Sequence, residues 1–223
     1  MKTLMCSITC ISMLLFSCQG SGQGKSSASQ ASEMENKIPV QVKTVNGLDR
    51  AYFASGCFWC VEAIYESVKG VEEVISGYSG GHTENPTYES SNTGRTGHAE
   101  AVEVIYDAKI ISFSDLVDVY FGSQNPVQVN GQGPDWGSQY RSIIFYQNKE
   151  QKNIILTKKN ALTKKLERKV AAEVYPFQKF WKAEGYHQNY EKRNPNNRYI
   201  RGVSIPRLKR FQAKFPELLK SKH

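Results

Sequence analysis

Two cysteines three residues apart, Cys57 and Cys60, sit in the run Gly56-Cys57-Phe58-Trp59-Cys60 and are of the type that does thiol redox chemistry. A strand-like segment precedes them, Gly56 breaks it, and Val61, Ile64, Tyr65 and Val68 follow at helical spacing. Cys57 is therefore expected at a helix start, where free backbone N–H groups and the macrodipole stabilise an anion. It is expected to ionise more readily than an ordinary thiol and is a candidate nucleophile. Cys60 is near enough to form a disulfide with it if the first helical turn loosens, which would supply an attacking and a resolving thiol. In an oxidising compartment the pair could equally be a structural staple, but so short a loop constrains the unfolded chain very little. Phe58 and Trp59 read either as walls for an apolar ligand or as plain core.

A second segment, Gly94-Arg95-Thr96-Gly97-His98-Ala99-Glu100, runs from a loop into a strand. Alternation puts Glu100 on the face of Val102 and Val104, and Glu103 on the opposite face with Ala101 and Ile105. Glu100 is the carboxyl expected in apolar surroundings, where desolvation keeps it protonated, as a proton donor requires; the plain alternative is a satisfied edge carboxylate. A third segment, Gly133 to Ser142, delivers Asp135 and Tyr140 at the end of a long loop, and Tyr88 has a similar place in an earlier one. Singly, each tyrosine is ordinary packing plus one hydrogen bond.

The elements expected to position these groups are strands at 50–55, 71–78, 99–106, 141–146 and 171–175. Helices are expected from 57 to about 69, from an N-cap at Ser114 to Tyr120, over 149–169, and around 207–214. In the long helix Ile154, Ile155, Ala161, Leu162 and Leu166 are expected on the inner side. Strands mixed with helices over this length give a single α+β domain, helices packed on a mixed sheet.

The 223 residues, 39% hydrophobic, suffice for a sizeable core. The first stretch differs: Lys2, then an apolar run from Leu4 to Phe16, too short to span a bilayer, reads as an export leader. It ends in Leu15-Phe16-Ser17-Cys18, which resembles the lipobox of bacterial lipoproteins. Residues 1–17 are then a signal peptide and Cys18 a lipid anchor. Residues 18–39, rich in Ser, Gly and Gln, form a flexible tether, and the folded domain covers 40–223. An ordinary leader cut after Cys18 is the alternative. Of five cysteines, Cys6 and Cys10 leave with the leader and Cys18 carries the anchor, so Cys57 and Cys60 remain. The net charge of +8 gathers late in the chain and reads as a solvated face near anionic headgroups, with no nucleic-acid role expected. The expected location is the cell envelope, facing the periplasm or exterior, as a monomer.

Together the three segments resemble the A-type peptide methionine sulfoxide reductases. The Gly-Cys-Phe-Trp opening, the Thr-Gly-His-Ala-Glu strand entry and the Asp-x-Gly-x-Gln-Tyr-Arg-Ser loop are matched by Gly56 to Trp59, Thr96 to Glu100 and Asp135 to Ser142. The resemblance implies a ferredoxin-like two-layer core and reduction of methionine S-sulfoxide. In that reading Cys57 attacks the sulfoxide sulfur, Glu100 protonates the oxygen, and Tyr88 and Tyr140 hydrogen-bond it. Phe58 and Trp59 form a hollow for the methyl group, and Asp135 contacts the substrate backbone. Cys57 becomes a sulfenic acid that condenses with Cys60, and a thioredoxin-like protein reduces the disulfide; no bound cofactor or metal is implied. His187 matches a further family segment with no assigned role. Cys60 stands where many members have Gly, Gln124-Asn125-Pro126 replaces the usual His-Asp-Pro, and Trp136 is unusual in its loop.

Two rival readings remain. One is a general thiol–disulfide oxidoreductase of the envelope, disfavoured by the bulky residues between the thiols. The other is a metal site of Cys57, Cys60, His98 and Glu100, disfavoured because no second Cys pair or close His pair exists.

Overall fold

The computed structural model describes residues 33–221, so the expected leader, Cys18 and most of the expected tether lie outside the described residues. The first strand, β1 (Asp49–Ala54), leads into helix α1 (Phe58–Glu66) through Gly56. Gly56 has φ +81°, and a Cβ there would lie 2.6 Å from the Gln132 side chain, so the turn needs glycine on two counts. Strand β2 (Val71–Ser79), helix α2 (Tyr88–Asn92), strand β3 (Ala99–Tyr106) and helix α3 (Phe113–Gly122) follow. Then come the two-residue strands β4 (Gly131–Gln132) and β5 (Asp135–Trp136), strand β6 (Ile143–Tyr146) and the long helix α4 (Lys149–Leu166). The chain ends in β7 (Glu173–Pro176), β8 (Phe180–Lys182), α5 (Tyr190–Arg193) and α6 (Ile205–Lys214), the last entered through a π-helical turn over Ile200–Ser204.

Six strands form one mixed sheet in the order β7-β6-β1-β3-β2-β8, antiparallel except for the β6–β7 pair. Period-two alternation sorts the side chains: Ala51, Phe53, Val102 and Val104 share a cluster with α1 and α3, while Tyr52, Ala54, Ala99 and Ala101 pack on the other face. This is the α+β mixed-sheet domain expected. Isolated, the nine residues of α1 would be marginal as a helix. Burial of Val61, Ile64 and Tyr65, each worth roughly 1.5–3 kcal/mol, holds it against the sheet. The other face is covered by Phe177, stacked on Tyr52 with centroids 3.8 Å apart, and by Met34, which is buried there. Packing thus reaches back to Met34, and the Val40 N–H donates to the Phe177 carbonyl at 2.8 Å.

Several boundaries differ from expectation for local reasons. Ser112, not Ser114, caps α3, because Asp115 completes a reciprocal capping box with it. Helix α4 stops at Leu166, where Glu167 takes a left-handed conformation. Ile155 is buried and Ile154 and Leu162 flank it, but Leu166 is 38% exposed and Ala161 exposed, so the buried stripe is narrower than expected. Short α2, made by a Thr87–Ser90 capping box, the β4–β5 pair and edge strand β8 had no periodic signal.

Candidate active site

Cys57 is the N-cap of α1 and is 6% exposed; Cys60, one turn on, is 1% exposed, and both are free thiols. Glu100 on β3 faces them from the sheet at 2% exposure, on the side of Val102 and Val104 that alternation indicates. Its Oε2 accepts the Phe58 N–H at 3.0 Å. Burial outweighs that bond and pushes the carboxyl up to about 8, so it is mostly protonated at neutral pH. Glu103, on the opposite face, accepts the Tyr52 hydroxyl and pairs with Arg50.

The expected acidity of Cys57 is not found. Burial first, then a hydrogen bond to Cys60 and the proximity of Cys60 and Glu100, hold this thiol well above its ordinary value. The backbone N–H that a helix start would offer, that of Phe58, is directed at Glu100 instead. Cys60 carries the acidity of the pair: the hydrogen bond from Cys57, with help from the Arg207 charge, brings it to about 7 against the desolvation that opposes it. The Tyr199 hydroxyl lies 3.7 Å from the Cys60 sulfur and donates to Asp135 Oδ2 at 2.6 Å.

Beside the thiols stands an aromatic wall. Phe58 packs against Tyr78, Tyr88 and His187, with centroids 4.8 to 6.4 Å away. Trp59 stacks on Tyr190 at 3.8 Å, and its Nε1–H donates to His187 Nδ1 at 3.1 Å. That bond fixes the His187 tautomer with its proton on Nε2, which lies 3.9 Å from Glu184. Glu184 accepts the Tyr88 N–H at 2.8 Å and the Tyr78 hydroxyl at 2.9 Å. His187 therefore has a definite place, linking the Trp59 side of the wall to the Tyr88 side. Tyr88 and Tyr140 are half-buried within electrostatic reach of Glu100 and Cys57, and burial raises both above their usual value, so both keep their hydroxyl protons.

The structure thus brings Cys57, Cys60, Glu100, Phe58, Trp59, Tyr88, Tyr140 and Asp135 to one end of α1. It also adds Tyr199, Glu184, Tyr190 and Arg207, which sequence reasoning missed. A hint existed in the dense run Glu184-Gly185-Tyr186-His187-Gln188-Asn189-Tyr190, but nothing marked Tyr199 or Arg207. His98 stands apart: its Nδ1 accepts the Gly81 N–H and its Nε2 meets the Thr83 carbonyl, so both ring nitrogens are engaged. The described residues contain no group of three His, Cys, Asp or Glu side chains placed to hold a metal ion. Gln124 occupies an internal post, accepting from Ser142 and Gln132, while Trp136 is 68% exposed.

The model of the family "Peptide methionine sulfoxide reductase" matches residues 49–219. The chain is 48% identical over 171 residues to the peptide methionine sulfoxide reductase MsrA of Pasteurella multocida, covering 77% of this chain and 98% of that one. Against the enzyme of the same name from Saccharolobus solfataricus it is 43% identical over 173 residues, covering 78% and 98%. Among solved structures, reduced Mxr1 from Saccharomyces cerevisiae superposes with a TM-score of 0.65 at 30% identity, covering 70% of this chain and 91% of that one. Methionine sulfoxide reductase A of Corynebacterium diphtheriae gives 0.63 at 29%, covering 74% and 88%. With these thiols and this buried carboxyl in place, the chain belongs to the peptide methionine sulfoxide reductase family, A type.

Proposed function

We propose that this chain reduces the S epimer of methionine sulfoxide, free or within oxidised proteins, at the Cys57 end of α1. The reading is carried by one observation above others: a buried carboxyl, raised to about 8, sits on the N–H adjoining the thiol that would attack. A sulfoxide oxygen leaves only with a proton, and a neutral carboxyl supplies it where a carboxylate would repel the departing charge.

The substrate methyl lies against Phe58 and Trp59, and its oxygen meets the hydroxyls of Tyr88 and Tyr140 and the carboxyl of Glu100. With Oε2 occupied by the Phe58 N–H, Oε1 is the oxygen left for the proton. Cys57 passes its own proton to Cys60 along their hydrogen bond and attacks the sulfoxide sulfur as the thiolate. Glu100 protonates the oxygen, which moves to Cys57; methionine departs and Cys57 is left as a sulfenic acid. The Cys60 sulfur then displaces that hydroxyl as water and forms the Cys57–Cys60 disulfide. Two thiols of a thioredoxin-like donor return the pair to its starting state. Asp135 orients Tyr199 and borders the space where the substrate backbone would pass.

The same proposal places the enzyme in the cell envelope, held by acyl chains on Cys18, because an apolar run, a small residue and a cysteine follow in lipobox order. Radioactive fatty acid should label the protein in cells and fail to label Cys18→Ala; persistent label would remove the anchor. For the activity, the separated epimers of a blocked methionine sulfoxide are incubated with the chain and dithiothreitol. Loss of the S epimer alone is expected, and survival of both would contradict the reading.

A further inference from the structure

The basic residues along α4 fall into two groups. Lys152 lies over the Tyr146 ring, Lys158 pairs with Asp118 at 2.7 Å and Lys159 donates to the Ala172 carbonyl, so these cations are engaged within the fold. Lys164, Lys165, Arg168 and Lys169, at the end of the helix and just past it, are exposed, and their side chains make no hydrogen bond or ion pair with a described residue. The negative end of a helix dipole carries about half a charge and accounts for one cation, not four. Glu167 is the one carboxylate in the run, and Leu166 lies among the cations at 38% exposure. The segment that follows the expected tether passes close by. Met34 is buried against the sheet, and Glu35 is near enough to Lys159 and Tyr175 for its charge to act on both. From Lys159 to Lys165 is roughly 9 Å along the helix.

We infer that the end of α4, from Lys164 to Lys169, docks on an anionic membrane surface, with its cations against lipid phosphates and Leu166 dipping between the headgroups. The inference rests on the acyl anchor proposed above, which brings the bilayer within reach. The roughly 15 residues between Cys18 and Glu33 span at most ~50 Å, so the patch meets the headgroups as part of the same molecule and at high effective concentration. Each Lys or Arg near an anionic leaflet favours contact several-fold, and four within six residues act together. An exposed leucine among cations is the pairing of apolar and basic groups that an interfacial segment uses. A single-stranded nucleic acid would also meet the charge, but it gains affinity by stacking its bases on aromatic rings, and residues 160–170 contain none. The docked turn fixes which face of the domain lies on the membrane, which the anchor alone does not.

The test uses residues 18–223 with Cys18→Ala, which keep every described residue and lack both leader and lipid, so that binding is read without the anchor. Sedimentation with vesicles of phosphatidylcholine containing about one third phosphatidylglycerol, at about 0.1 M salt, gives the partition coefficient. Lys164→Gln/Lys165→Gln is compared with Lys109→Gln/Lys209→Gln, which removes the same charge from exposed positions on other elements. The expected result is binding by the parent, a loss of about 30-fold in the first variant and little change in the second, with sulfoxide reduction in solution equal in all three. Leu166→Trp should shift its added fluorescence to the blue on these vesicles and not on pure phosphatidylcholine. A parent that stays in the supernatant, or an equal loss in both double variants, would overturn the inference. So would retention on polyuridylate in preference to vesicles at equal phosphate. The fatty-acid labelling of Cys18 reads the anchor separately: labelled protein whose patch ignores the vesicles refutes the docking alone, and unlabelled protein refutes the anchor.

Discussion

Glu100 and Cys57 are joined through one peptide group: the carboxyl of Glu100 accepts the N–H of Phe58, the residue that follows the thiol. Strand β3 and helix α1 thereby hold the proton donor and the nucleophile in a fixed relation, and neither can shift without breaking a buried bond.

Replacing Glu100 separates these two duties. Glu100→Gln keeps an acceptor for the Phe58 N–H and loses the proton, so the rate of the sulfoxide step should fall about 100-fold with the fold intact. Glu100→Asp should retain part of the rate. Single-turnover kinetics with matched circular dichroism check this, and equal activity in both variants would remove Glu100 from the chemistry.

The rate should depend on pH as a bell. The thiol pair must have lost one proton, which happens as pH rises through about 7, and Glu100 must still hold its own, which it loses through about 8. Because the groups interact, the limbs belong to the ensemble of thiols and carboxyl together. In Glu100→Gln the alkaline fall should vanish while the acid limb remains; kcat/KM measured across the range decides it.

Cys60→Ser, which also removes the acceptor for the Cys57 proton, should release about one methionine per chain more slowly than the parent and then stall with a thioredoxin-like donor, since the sulfenic acid has lost its partner. Sustained cycling at the parent rate would show that Cys60 is not the resolving thiol.

Glu62 offers a prediction about stability. It is 2% exposed on α1, accepts the Asn189 N–H at 2.9 Å, and burial raises it to about 7. The unfolded chain ionises this carboxyl near its ordinary 4.5, so between there and about 7 unfolding releases a proton and stability falls as pH rises. Unfolding free energies from urea titrations at the two ends of that window should differ less in Glu62→Gln than in the parent, by an amount on the order of 1–3 kcal/mol. An unchanged difference would mean that Glu62 is ionised in the folded state.

How much of this was legible beforehand follows from the range of each signal. Period-two alternation needs only β3 itself, and it put Glu100 on the buried side correctly, because the face shared with Val102 and Val104 is the one that receives α1. The acidity of Cys57 was misjudged for the opposite reason: a local rule about helix starts could not know that the fold would bury the thiol, nor that Glu100, 42 positions from Phe58, would take the Phe58 N–H. Tyr199 and Arg207 arrive from the C-terminal segment through long-range packing, and neither residue type nor spacing announces them.

The central claim is that Cys57 receives the oxygen. Cys60→Ser chain is mixed with one equivalent of S-sulfoxide and a dimedone-type trap, and the adduct is located by mass spectrometry while methionine is counted. One adduct on Cys57 for each methionine formed is the expected result; methionine formed without modification of Cys57, or formed by Cys57→Ser, would contradict it.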